Sequence, residues 1–221
     1  ADLDDVTQFG IAVFLEAGDA GPFNVDVTLW TQAQAGSESE PKALTYQAHA
    51  EDTGDLTTYT FSAQPIGTPS ASRRVHVGVG GTQGTRTVSS VTIGGVTATQ
   101  NIHFQGATVS TVAIYTAHVP DGTTADVVVV WSGAQSRCGI GIWTSTGLTS
   151  EVANATDSAI NDNGNADINL DVATLDGGFI IACGGLSSRL PYLFATCPPR
   201  ADNAAVYRLR SLIGSRRSLL V

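Results

Sequence analysis

The stretch Ser90-Val91-Thr92-Ile93-Gly94-Gly95-Val96-Thr97-Ala98-Thr99 constrains this chain most, because it writes two alternating strands and the turn between them into consecutive residues. Val91 and Ile93 share one face with period two, and Val96 and Ala98 continue the alternation beyond the turn. Gly94-Gly95 suits the positive φ angles of a two-residue primed turn, so a β-hairpin is expected here. A chain that commits to a tight antiparallel hairpin in its middle must find further strands to pair with it.

Those strands are legible at short, regular intervals. Thr58 to Ser62, Arg73 to Val79, Val88 to Ile93, Val96 to Gln100, Thr111 to Val119, Ala125 to Trp131, Cys138 to Thr144 and Phe179 to Cys183 all carry strand patterning. Val119-Pro120-Asp121-Gly122-Thr123 is a strong turn signal, expected to join adjacent antiparallel strands. Val127-Val128-Val129-Val130-Trp131 is apolar at every position, which predicts a central strand covered on both faces. Glycine is abundant at 24 residues and methionine is absent, a balance that favours short strands and turns over helix. A short helix is the one expected over Ser150 to Ile160, before Gly164 and its Asn/Asp neighbours stop it.

The fold class predicted is therefore all-β, an antiparallel β-sandwich of jelly-roll or Ig-like type with little helix. Residues 1–56 read as an N-terminal β extension with strand candidates Phe9 to Leu15 and Val25 to Thr31, suited to assembly or docking. Residues 57–186 read as the sandwich domain, and residues 187–221 as a basic C-terminal strand or arm.

Charge separates that last region from the rest. Residues 1–188 hold five basic and 19 acidic residues, a net of −14, whereas the remainder holds six arginines against Asp202, a net of +5. The overall charge of −9 argues against nucleic acid as a partner, because phosphate binding needs a concentrated Lys/Arg surface. Ala1-Asp2-Leu3-Asp4-Asp5 lacks a basic start and an apolar core, and no apolar run is long enough to span a bilayer. A soluble product made in the cytosol, with no membrane partner, is expected.

Chemistry-bearing motifs are sparse. Gly78-Val79-Gly80-Gly81-Thr82-Gln83-Gly84 places Gln83 where a phosphate-binding fingerprint needs its third glycine, and it reads instead as a flexible loop between strands. His49, His76, His103 and His118 include no close pair with metal-ligand spacing. No serine sits in a G-x-S-x-G elbow, so an enzyme is not expected. Cys138, Cys183 and Cys197 are too few and too spread for a disulfide framework, and the first two, in strand-like contexts, read as small buried hydrophobes.

The one cluster with calcium-like oxygen donors is Asn161 to Asp171, with Asp162, Asp167 and Asp171 as weak ligand candidates. Its plainer reading is an Asn163-Gly164 turn followed by an amphipathic strand. No other cofactor is indicated. In the C-terminal segment Tyr192, Tyr207, Arg208, Arg210, Arg216 and Arg217 combine aromatic and guanidinium groups in the manner of an interface. The tryptophans Trp30, Trp131 and Trp143 mostly fall in strand patterns and read as core.

Four segments, Tyr59 to Ser62, Arg73 to Val79, Thr87 to Val96 and Cys138 to Trp143, together resemble a β-sandwich module of tailed-bacteriophage virion proteins. The resemblance spans roughly residues 57–186. It implies a non-enzymatic structural role on the virion, as a capsid decoration or head-spike protein or a tail or fibre component. It transfers no catalytic residue. The partners implied are other virion proteins, with the chain as a homo-oligomer or in multiple copies. The competing reading is a carbohydrate-binding, lectin-like module for host glycans, using the Asn/Asp loop and an exposed tryptophan such as Trp143.

Overall fold

The computed structural model describes residues 41–83, 85–105, 110–153, 156, 158–161, 169–173, 179–186, 194–197, 206–210 and 217–220. All of them belong to the unit Ser37–Val221. The expected strands Phe9 to Leu15 and Val25 to Thr31 lie outside the described residues, as do Trp30, Asp162, Asp167, Tyr192 and Arg216.

Nine strands come first: β1 (Ala43–Asp52), β2 (Leu56–Pro65), β3 (Arg74–Gly81), β4 (Val88–Ile93), β5 (Val96–Thr97), β6 (Thr99–Gln105), β7 (Thr111–His118), β8 (Thr124–Gln135) and β9 (Cys138–Thr146). They form an antiparallel β-sandwich. One sheet has the order β1-β9-β3-β7-β6 and the other β2-β8-β4-β5. Period-two patterning decides the faces. Val75, Val77 and Val79 of β3, Ala113, Tyr115 and Ala117 of β7, and Ile140 and Ile142 of β9 meet Tyr59, Phe61, Val91, Ile93, Val127, Val129 and Trp131 of the opposite sheet in one buried core. Each aliphatic or aromatic side chain removed from water there contributes roughly 1.5–3 kcal/mol before conformational entropy is set against it.

The expected hairpin is present, with Ile93 opposite Val96 and Thr92 opposite Thr97. Gly94 and Gly95 have φ of 59° and 81°, the pair of positive angles that a type I′ turn requires. Val91, Ile93 and Ala98 are buried, whereas Val96 sits at the tip of the edge and remains exposed.

Several local readings are changed by tertiary structure. The Val119 to Thr123 turn does not join neighbouring strands: β7 pairs with β3 and β6, β8 pairs with β2 and β4, and the turn carries the chain from one sheet to the other. Gly78, Gly80 and Gly81 are not in a loop but in β3, hydrogen-bonded to β7 and β9. Ser158 to Ile160 form strand rather than helix, and no helix occurs among the described residues. Strand β1 lies before residue 57 and is nonetheless hydrogen-bonded along β9 in the sandwich.

Strand β8 is central, as the apolar run predicts, lying between β2 and β4. Its inward residues Val127, Val129 and Trp131 are buried, but Val128 and Val130 on the outer face are only half-buried. The sheet covered on both sides is the other one. Here β12 (Ile180–Leu186) lies against β3 and β7, within a third sheet that also contains β10 (Ser158–Asn161), β13 (Phe194–Cys197) and β15 (Arg217–Leu220). Val112 and Ile114 of β7 meet Ile181 and Cys183 of β12, with Ile102 and Phe104 of β6 alongside.

Glycine explains how close that layer comes. On β3 the residues alternating with the core valines are His76, Gly78 and Gly80, and Gly78 and Gly80 pair with Gly141 and Gly139 of β9. A strip without side chains lets the Cys183 sulfur reach 3.9 Å from the Val79 carbonyl. A separate two-stranded ladder joins β11 (Asn169–Ala173) to β14 (Val206–Arg210). The described segments of the basic C-terminal region are thus strands folded back onto earlier strands.

Candidate functional site

The arrangement closest to a chemical site is a row of polar side chains on the glycine-bearing face of β3. His76 stands between Thr116 of β7, its cross-strand partner, and Ser145 of β9. Its Nδ1 is 2.8 Å from Thr116 Oγ1 and its Nε2 is 2.7 Å from Ser145 Oγ. Asn101 of β6 donates through Nδ2 to Thr116 Oγ1 at 2.8 Å and accepts the Ala153 N–H on Oδ1 at 2.7 Å. With Thr116 Oγ1 accepting from Asn101, the simplest proton assignment sends the threonine hydrogen to Nδ1 and the ring N–H to Ser145.

This chain superficially resembles a serine–histidine pair with an orienting third group, but its energetics differ. Burial, reinforced by the Arg74 charge, pushes the His76 pKa from 6.5 down to about 4. A base that weak takes a serine proton poorly at neutral pH. The group on its far nitrogen is a hydroxyl, not the carboxylate that would stabilise an imidazolium. Ser145 and Thr116 are each only 1% exposed, which leaves no access for a substrate. The row satisfies buried polar groups between layers, and its place is structural.

The two thiols behave likewise. Cys138 and Cys183 are free and buried, in keeping with their strand contexts. Burial pushes the Cys138 thiol up to about 12 and raises that of Cys183 further, so neither is a thiolate at neutral pH.

Arg73 is a buried cation that sequence reading passed over. It donates from Nε to the Val119 carbonyl at 2.7 Å, from Nη1 to Gly67 at 3.0 Å and from Nη2 to Asp121 at 2.7 Å. Three carbonyls thereby tie the corner where the chain changes sheets to the β2–β3 connection. The sequence signal was available only as an arginine beside a turn-rich segment.

The candidate residues named from sequence distribute as follows. Tyr207, Arg208 and Arg210 lie on β14, where the register sets Arg208 opposite Asp171 and Arg210 opposite Asn169. Arg217 lies on β15, opposite Asn161 of β10 and Leu186 of β12. Among the described residues no three His, Cys, Asp or Glu side chains form a metal-binding group. Trp131 and Trp143 are buried, so neither offers the exposed indole that a lectin-like site at Trp143 needs. The exposed aromatic in that area is Tyr46, which meets the Trp143 ring edge-on at 5.7 Å and shares a 3.0 Å hydrogen bond with His49 Nδ1.

Among the described residues, the outer face of the β2-β8-β4-β5 sheet carries uniform rows of small side chains. Register aligns Thr58, Val130 and Ser90 in one row, and Thr60, Val128, Thr92 and Thr97 in the next. Hydroxyls and methyls alternate along these two rows, and the exposed Asp126 lies beyond them on the same face of β8. Rows of this kind can be excluded from water by a partner at little electrostatic cost. The signal that finds them is the exposed half of the period-two pattern, Thr58-x-Thr60-x-Ser62 on β2.

Comparison with protein families, curated proteins and solved structures returns no match to this chain.

Proposed function

We propose that this chain is a non-enzymatic structural protein of a bacteriophage virion. In this reading it is an exterior capsid decoration or head-spike protein, or a tail-associated component, made in the host cytoplasm and present in many copies. It works through protein–protein contacts. The observation that carries the reading is the pair of Thr/Ser/Val rows on the outer face of the β2-β8-β4-β5 sheet, set on a sandwich whose other sheet is covered by β12 at β3 and β7. In this reading those rows face a neighbour.

Two further features support it. The segments that resemble phage virion modules supply β2, β3, the β4–β5 hairpin and β9, strands drawn from both sheets of the sandwich. The polar and nucleophilic groups of the interior are engaged in packing, with His76 held neutral between hydroxyls and the thiols held protonated. A net charge of −9 keeps such a surface off nucleic acid.

Gold-labelled antibody against this chain, imaged on purified phage particles, tests the proposal. Label on the head exterior or the tail is expected. Particles that carry none of the chain, or a glycan array that binds the purified protein with defined sugar preference, would overturn it.

A further inference from the structure

The edges of the sandwich differ in how they are guarded. Exposed strand edges present unpaired N–H and C=O groups, and proteins blunt them with charges, bulges, shortness or a covering segment. Strand β1 has a register shift between Tyr46 and Ala48 and ends in Glu51, ion-paired to Arg137 at 2.9 Å, and Asp52. Strand β6 has a shift between Gln100 and Ile102 and is held to the following chain by Thr99 on Glu151 and Ala153 on Asn101. Strand β5 has only two residues.

Strand β2 is bulged too, with Ala63 at φ 51° and its N–H bonded to Asp126 Oδ1, but it differs in having no charged residue of its own. Its ten residues, Leu56–Pro65, include no charge, and among the described residues it pairs with β8 alone. Its register shifts fall at Leu56/Thr58 and Phe61/Gln64, leaving Thr58 to Phe61 as regular ladder. Thr58, Thr60 and Ser62 are exposed, and Tyr59 and Phe61, stacked with ring centroids 6.4 Å apart, point into the core.

We infer that β2 is a self-association edge, at which two copies of this chain pair antiparallel about a two-fold axis and join their four-stranded sheets into one. The sequence of the edge selects a second copy as the occupant. Thr58-Tyr59-Thr60-Phe61-Ser62 reads the same in chemistry in both directions: hydroxyl, aromatic, hydroxyl, aromatic, hydroxyl. A two-fold centred on Thr60 sets Tyr59 opposite Phe61 of the other copy within the regular ladder, and Thr58 opposite Ser62 where the register shift begins. Hydroxyl–hydroxyl and aromatic–aromatic pairs are among those that stabilise antiparallel ladders, and a two-fold interface must be self-complementary in this way.

The strand's own lack of charge does not oppose this occupant. Two copies carrying −9 each repel over most of their surface, and an uncharged strip is where they approach with least like-charge cost. The joined sheet would continue the hydroxyl rows of Thr58, Thr60 and Ser62 across both copies. This inference deepens the assembly reading above and rests on it for biological context, while its test is independent of particles.

The test is light scattering of the full chain after size exclusion across a range of loading concentrations. Wild type is expected to reach twice the chain mass as concentration rises. Thr58→Lys/Thr60→Lys puts like charges on the shared face at exposed sites, and it is expected to stay at the single-chain mass with an unchanged urea midpoint. Val152→Lys, at an exposed position away from the edge, is expected to dimerise like wild type. A Thr60→Cys chain is expected to cross-link to itself under mild oxidation, more than wild type does. A wild type that stays monomeric at every concentration, or a Thr58→Lys/Thr60→Lys chain that still dimerises, overturns the inference. Particles labelled by antibody but containing a monomeric chain would remove self-pairing and leave the virion role; a dimer absent from particles would do the reverse.

Discussion

Acidification should weaken this protein through His76, and the structure sets both sign and size. In the unfolded chain the imidazole has its ordinary pKa of 6.5, while in the folded protein burial and Arg74 hold it at about 4. The unfolded state therefore takes up a proton as pH falls through 6.5, and the folded state does so only near 4. The His76 contribution is whole above pH 6.5 and is lost as pH falls toward 4, up to about 3 kcal/mol in all. Between pH 7 and pH 5 the loss is about 2 kcal/mol, because the unfolded-state group is almost fully protonated at the lower pH and the folded one is not. The comparison needed is wild type against His76→Gln, whose amide keeps a donor and an acceptor between Thr116 and Ser145. Urea unfolding followed at both pH values gives the two stabilities. At pH 7 the variant should be the less stable protein, since Ser145 and Thr116 lose well-placed partners. At pH 5 that deficit should shrink or reverse by about 2 kcal/mol, because every other titrating group is common to both chains. Parallel loss of stability in the two proteins between pH 7 and pH 5 would refute the assignment of a neutral, proton-resisting His76.

Two further outcomes follow from buried polar and thiol groups. Arg73→Met keeps the apolar stem but leaves the carbonyls of Val119, Gly67 and Asp121 without their guanidinium donors. It should cost about 2–4 kcal/mol in urea unfolding; a loss below 1 kcal/mol would mean that water replaces the arginine at this corner. Iodoacetamide at pH 8 should leave Cys138 and Cys183 unmodified in the native protein and alkylate both in denaturant, as read by peptide mass, because buried thiols held protonated offer no nucleophile. Rapid native labelling of either would contradict their burial.

What the sequence determined alone is what neighbouring residues settle between themselves. Gly94-Gly95 supplies positive φ without a Cβ penalty, so the hairpin needs no distant help and was legible at once. Strand patterning located the strands that contain Tyr59 and Phe61, Val75 to Val79 and Val127 to Trp131. The strand contexts also placed Cys138 and Cys183 in the interior. Sheet membership is a different kind of fact, because it depends on contacts between residues far apart in the chain. The Val119 to Thr123 turn has the chemistry of a reversal whichever sheet the next strand joins, and only the pairings of β7 and β8 show that it crosses between sheets.

The glycines of β3 make the same point. Locally Gly78, Gly80 and Gly81 weaken a strand and suggest a loop. In the fold Gly78 and Gly80 pair with Gly141 and Gly139 and admit β12 close to the sheet, a gain that exists only once the third layer is in place. His76 carried no motif, since its partners Thr116 and Ser145 come from two other strands. Local stereochemistry thus determined where the strands and the turn lie. Long-range packing decided which faces are buried, which histidine is neutralised, and which edge is unpaired among the described residues.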